Sequence, residues 1–338
     1  MRRLRPHLAC EQPSNTISET IMSQHKAKLP QLDGGLFLTD GGIETTLIFH
    51  DGLDLPHFAA FHLLKDDAGT AALRRYFARH AGIARANGTG FILESPTWRA
   101  SSDWGEKLGY SAAALADANT ASIRLMQELR AGFESERTPI VVSGCVGPRG
   151  DGYDPGAAMS PDAAHAYHAG QIGVFARTGA DMVTAITMTN ASEAIGLTRA
   201  AQAAGMPVAI SFTVETDGRL PTGQGLKEAI AEVDEATLGR PAYYMINCAH
   251  PTHFEATLAG KGAWLGRIRG IRANASRRSH AELNEAPDLD DGDPVELGGQ
   301  YRSLLRRHPQ IAVLGGCCGT DHRHIEAICA ACTSADEA

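Results

Sequence analysis

A single-domain (β/α)8 TIM barrel is the fold this sequence predicts, and three observations carry that expectation. The chain has 338 residues, more than the roughly 250 that such a barrel needs. From residue 35 onward, eight short apolar or β-branched runs alternate with longer Ala-, Glu- and Arg-containing stretches, the rhythm of strand followed by helix. No G-x-G-x-x-G follows the first run, and no Gly/Ser- or Pro-rich linker divides the chain. Both absences count against a doubly wound sheet, the alternative that the same alternation permits.

The elements follow in order. Strands are expected at Leu36–Gly42, Gly90–Trp98, Ile140–Gly147, Asp181–Thr187, Val208–Val214, Tyr243–Cys248, Gly270–Ser276 and Ile311–Gly319. Helices are expected at Ala71–Asn87, Ala113–Phe133, Pro161–Thr178, Ala191–Ala204, Leu226–Ala236, Thr252–Ala259 and Val295–Arg307, with a last one over HRHIEAICAACT. Ser160 before Pro161 reads as a cap followed by a first-turn proline, and Gly179, Gly205 and Gly260 stand where helices should stop. The acidic stretch Glu282–Glu296 reads as a long solvated loop. Residues 1–30 show neither strand alternation nor an amphipathic stripe and are expected to be a flexible tail, with the barrel over 35–333 and Met22 as a possible true start. Arg2, Arg3 and Arg5 resemble a targeting n-region, but no apolar stretch of sufficient length follows them.

Composition excludes several classes of function. Apolar residues at 43% and charged residues at 21% are ordinary globular usage, which rules out a disordered or collagen-like chain. A formal net charge of −8 argues against nucleic-acid binding, where affinity rests on neutralising phosphates. No run approaches the ~18 apolar residues of a membrane span. Seven cysteines are too few for a disulfide scaffold and odd in number, so a reducing, cytoplasmic setting with free or metal-bound thiols is expected.

In a parallel barrel the chemistry gathers at the carboxyl ends of the strands. Those ends carry Asp40, Glu94, Cys145, Thr187, Glu215, Cys248, Asn274 and the pair Cys317-Cys318. Three cysteines thus approach one another from the sixth and eighth strands. Three thiolates with an open fourth position are the ligand set of a catalytic zinc ion, and Gly315, Gly316 and Gly319 would give the backbone freedom that adjacent ligands require. Two other readings stay open on spacing alone: three unrelated buried thiols, and a strained bond between the vicinal pair. Cys145 reads as a packing residue. Cys329-Ala-Ala-Cys332 has knuckle spacing but lacks a second half and falls within the last helix. None of the six lysines lies in an expected strand, which disfavours a Schiff-base aldolase, and there is no Walker loop or H-E-x-x-H.

These residues resemble the homocysteine S-methyltransferase family. The likeness runs from Leu36 to about Cys329 and rests on Asp40-Gly-Gly-Ile-Glu-Thr-Thr-Leu47, Glu94-Ser-Pro-Thr97, Ser143-Gly-Cys-Val-Gly-Pro148, Asn247-Cys248 and Gly315-Gly-Cys-Cys-Gly-Thr320. The resemblance implies catalytic zinc held by Cys248, Cys317 and Cys318, with Asp40, Gly41, Glu94 and Asn247 touching substrate and Asp40 helping to hold the amino group of homocysteine. It also implies a sulfonium or quaternary ammonium donor, S-methylmethionine or S-adenosylmethionine ahead of betaine. No nucleic acid or membrane partner is expected, and the chain would act as a monomer or homo-oligomer. One position departs from the pattern: Ile186 stands where the family carries a second ammonium-binding glutamate, so that either Glu94 or Glu215 compensates or the acceptor is another thiol. Trp98 is either a cation–π face for the donor or packing at the barrel mouth. A non-catalytic zinc-binding barrel and a metal-dependent hydrolase are the competing classes; the hydrolase would want histidines at strand ends, and His250 and His253 lie just beyond one, where they more naturally cap or line the mouth.

Overall fold

Each of the eight expected runs forms a strand, and each strand pairs in parallel with its sequence neighbours until the last closes on the first. The computed structural model describes residues 23–286 and 288–333. The strands are β1 (Phe37–Leu38), β2 (Gly90–Glu94), β3 (Ile140–Val146), β4 (Met182–Met188), β5 (Val208–Thr213), β6 (Tyr243–Asn247), β7 (Ile268–Ala273) and β8 (Val313–Gly316), in a closed barrel of order β1 to β8. The helices are α1 (Asp67–Asn87), α2 (Ser102–Lys107), α3 (Ala112–Phe133), α4 (Pro161–Ala176), α5 (Ala191–Ala203), α6 (Leu226–Thr237), α7 (Pro251–Leu258), α8 (His280–Glu285), α9 (Pro294–Arg307) and α10 (His322–Thr333). No described helix is long and apolar enough to cross a membrane.

Strand periodicity sorts the apolar side chains into two layers. Phe37, Ile92, Val141, Met182, Ile186, Tyr243, Met245 and Val313 form the inner cluster. Their sequence neighbours Leu38, Phe91, Val142, Val183, Tyr244 and Leu314 belong to the larger cluster under the helices. Burial on both faces explains why these strands read as nearly continuous apolar runs.

The expected helices start where their caps dictate. Ser111 and Ser160 accept from the backbone N–H three residues on, and Asn190 does the same for α5. His250 caps α7 through its ring, as its place beyond the sixth strand suggested. β1 and β8 are shorter than expected because their last residues leave the sheet to bind each other. Gly42 N–H donates to the Thr320 carbonyl, and Gly319 N–H donates to Thr45 Oγ1.

Two expectations are corrected. Residues 1–22 of the expected tail lie outside the described residues, but residues 24–30 are not loose. Gln24 and His25 N–H donate to Asp181 Oδ1 at 2.7 and 2.8 Å, and Leu29 joins the inner cluster. The lone apolar Leu29 in a polar stretch was too weak a signal to read as packing. The acidic stretch is not a free loop either. Its start lies in α8, capped reciprocally by Ser279 and Glu282, an S-x-x-E signature visible in the sequence. Farther along, Ser276 Oγ donates to Asp290, and Arg323 pairs with Asp291. That fastening draws the segment over the end of β8.

Candidate metal and thiol site

Cys248, Cys317 and Cys318 meet above the ends of β6 and β8, their sulfurs all within 4.8 Å of one another. Cys248 and Cys317 are joined as a disulfide, and Cys318 Sγ lies 3.9 Å from Cys248 Sγ. The vicinal bond is therefore excluded, as is the reading of three unrelated buried thiols. Cys145, Cys329 and Cys332 are free and are not part of the cluster; Cys329 and Cys332 lie in α10.

The backbone bends the sequence suggested are made differently from expectation. Cys248 itself adopts a left-handed conformation (φ 53°), as does Thr187 at the end of β4 (φ 66°). Such conformations cost of order 1–3 kcal/mol in a non-glycine residue and persist only when the surroundings hold them. Asn247 supplies much of that hold. Its Oδ1 accepts from Thr187 N–H at 3.0 Å and from Ser211 Oγ at 2.6 Å, and its Nδ2 donates to Thr187 Oγ1 at 2.8 Å. The same Nδ2 lies 3.9 Å from Cys317 Sγ. Asn247 is fully buried, so its amide orders the wall behind the cysteines. Of Gly315, Gly316 and Gly319, only Gly319 uses positive φ (78°); Gly315 and Gly316 are required because a Cβ would collide with Thr39 and Thr320.

Below the sulfurs lies a group the sequence reading missed. Arg272, on β7, donates from Nη2 to Asp40 Oδ1 at 2.8 Å and from Nη1 to Glu94 Oε2 at 2.5 Å, while its Nε donates to the Gly316 carbonyl. Tyr76 of α1 donates to Asp40 Oδ2 at 2.9 Å and shares its hydroxyl with the Gly41 carbonyl. Burial disfavours the guanidinium's charge, but Asp40 and Glu94 more than offset it and hold Arg272 protonated. Burial likewise pushes the Glu94 carboxyl up, with Arg272 opposing. The residues expected to grip a substrate cation are thus already bound to a cation of the chain. A signal was present: two-residue periodicity in Gly270-Ile-Arg-Ala points Arg272 inward, and a charge inside a barrel strand demands partners.

Four further residues complete the mouth. Ile186 is buried in the inner cluster. Trp98 donates from Nε1 to the Ile186 carbonyl at 3.2 Å, and one of its faces carries the guanidinium of Arg99 at 3.9 Å. The cation on that face is thus one of the chain's own. Glu215 pairs with His280, whose Nε2 contacts the Cys248 carbonyl at 2.5 Å. Tyr153, from the loop after β3, places its hydroxyl 3.1 Å from Cys318 Sγ and 3.6 Å from Cys248 Sγ. Burial raises both the Tyr153 phenol and the Cys318 thiol, so neither ionises readily near neutrality without an added positive charge.

A closed parallel barrel with three sulfurs converging at its carboxyl-terminal mouth is a scaffold suited to thiol and metal chemistry. The chain belongs to the homocysteine S-methyltransferase family, whose profile matches residues 37–332, and it is an enzyme, so the non-catalytic barrel is set aside. Homocysteine S-methyltransferase 4 of Zea mays is 25% identical over 325 residues, covering 90% of this chain and 91% of its own. The homocysteine methyltransferase MmuM of Escherichia coli shares the fold in its oxidised form, at a TM-score of 0.67 and 19% identity over 87% of this chain and 94% of its own. Its metallated form gives a TM-score of 0.67 at 18% identity, over 89% and 98% of the two chains.

Proposed function

We propose that the protein transfers a methyl group from a sulfonium donor, S-methylmethionine or S-adenosylmethionine before betaine, to the thiol of homocysteine, giving methionine. The reaction would use zinc held by Cys248, Cys317 and Cys318, and its partners would be small molecules of the cytoplasm. The observation that carries this reading is the convergence of three sulfurs. Zn–S bonds of about 2.3 Å in a tetrahedron place sulfurs about 3.8 Å apart, and Cys248 and Cys318 are separated by 3.9 Å. All-thiolate donors suit zinc rather than magnesium or calcium. Zinc in this position would supply a Lewis acid that takes the acceptor as thiolate while leaving its sulfur nucleophilic. Bridged sulfurs offer no thiolate, so the disulfide and the metal exclude each other.

The chain's own groups orient that chemistry. Asn247 fixes the left-handed turn of Thr187 and the wall below Cys317. Tyr153 holds a hydroxyl against two of the three sulfurs and is placed to donate to one of them when it carries charge. A second reading, the same transfer to a thiol other than homocysteine, is favoured by Ile186 and by the pairing of Asp40 with Arg272.

The test is calorimetric. The protein prepared under reducing conditions should hold about one zinc per chain. Homocysteine binding, followed in buffers of different ionisation enthalpy, should release a proton near neutral pH as the thiol becomes thiolate. Binding without proton release would refute thiolate ligation.

A further inference from the structure

A methyl donor of the sulfonium class is a cation, and an amino-acid acceptor carries an ammonium. Either is stabilised by an anionic partner in a partly buried site. Four carboxylates on the strand-end segments of the mouth are the candidates. Asp40 and Glu94 are bound to Arg272 at 2.8 and 2.5 Å, and Asp40 also accepts from Tyr76. Glu215 faces His280 at 3.3 Å, on the rim. The fourth is Glu44, in the strand-one motif, at the residue that precedes the turn Thr45–His50.

Glu44 differs from the other three in having no cation within reach of an ion pair among the described residues; its hydrogen bond is to its own backbone. Its place is fixed by the residues on either side. A Cβ on Gly42 would strike the Cys317 carbonyl, and Thr45 Oγ1 accepts from Gly319 N–H at 3.0 Å. The segment carrying Glu44 therefore lies directly against the Cys317–Thr320 turn. From there its charge acts on Asp40 and Arg272 below, on Arg99 after β2, on Tyr153 after β3 and on Cys318. Groups from five parts of the barrel mouth are thus within electrostatic reach of the carboxylate. Glu44 is half-buried, and desolvation raises its carboxyl to about 7, so a cation arriving beside it would draw the carboxyl into its ionised form.

We propose that Glu44 is the residue that recognises the cationic group of a substrate at this site, in place of the carboxylates neutralised by Arg272. The proposal rests on the methyl-transfer reading above and names the specificity-determining residue within it. The shared chemistry is a cationic group on a small sulfur compound, which either the acceptor or the donor supplies.

Calorimetric affinity measured on the zinc-loaded protein separates the two sources. Three ligands are compared in the native chain, Glu44→Gln and Glu44→Asp: homocysteine, 4-mercaptobutyrate (the same thiol without its ammonium) and S-methylmethionine. If the ammonium is the partner, Glu44→Gln weakens homocysteine by roughly 10- to 150-fold, the range of a charge-assisted hydrogen bond, and leaves 4-mercaptobutyrate unchanged. If a cation of the donor is the partner, S-methylmethionine weakens by that factor and both thiols are unaffected. Glu44→Asp, which keeps the charge, should recover part of either loss. Unchanged affinity for all three ligands in Glu44→Gln, or an equal loss for both thiols and the donor, overturns the proposal. Failure of the native protein to bind any thiol would instead refute the methyl-transfer reading.

Discussion

The two ends of the barrel each bury an arginine against carboxylate, and they do so differently. At the amino-terminal end, Arg130 meets Asp181 one to one at 2.9 Å. Asp181 also accepts from the backbone N–H groups of Gln24, His25 and Val142, so its oxygens are saturated and its charge is matched. Residues 24–32 then cover that end, with Gln31 reaching Met182 and Tyr243 across the inner layer. At the carboxyl-terminal end, one arginine, Arg272, serves two carboxylates, and Glu44 adds a third that no cation matches. Two non-glycine residues there adopt left-handed backbone, and three sulfurs converge. One end is neutral and closed. The other gathers a carboxyl without an ion pair, strained backbone and three converging sulfurs, features that in a folded chain cluster at functional sites.

The largest expected effect breaks that contrast at its centre. Replacing Cys248, Cys317 or Cys318 by Ala should remove the metal and turnover together, because two sulfurs cannot complete the site. Cys329→Ala and Cys332→Ala should keep both, since these thiols lie in α10 outside the cluster. Metal content measured alongside activity decides the matter, and a fully metallated Cys317→Ala protein would sink the ligand assignment.

The next effect compares the arginines. Arg272→Met strands Asp40 and Glu94 in the interior and should cost about 3–5 kcal/mol in urea denaturation, the range for breaking a buried pair by removing one partner. Arg130→Met leaves Asp181 with three backbone donors and should cost less, about 1–3 kcal/mol. Equal losses would show that backbone hydrogen bonds do not substitute for the missing charge, and the asymmetry between the ends would then have no energetic content.

Much of this was legible in the sequence, and the reasons differ by residue. The eight strands were readable because both faces are buried, so Ile140–Val146 and Val208–Thr213 are almost wholly apolar. The cysteines were readable because thiols at the ends of strands six and eight must meet once the barrel closes. Asp40, Glu94 and Asn247 were located but their partners were not, since pairing depends on register across the barrel: Arg272 lies 232 residues from Asp40. Glu44 was passed over because it sits one turn past a strand end, where sequence gives no facing direction. Short turns such as Thr45–His50 and α2 carry too few residues for periodicity to show.

The smallest effects lie at the closed end and sharpen where it begins. A chain starting at Met22 retains Gln24, His25, Leu29 and Gln31, hence every described contact of the segment with the barrel. Its melting temperature and activity should equal those of the full chain within error. Leu29→Ala in the full chain should cost about 2 kcal/mol, the low end for leucine truncation, because the side chain sits at the edge of the inner layer, where neighbours can relax into the space. That loss should appear in stability and leave thiol affinity untouched, since Leu29 packs with Phe37, Met182 and Tyr243 at the end opposite the sulfurs. A fall in thiol affinity in either variant would mean that the two ends are coupled through the inner layer, and the division of labour between them would fail.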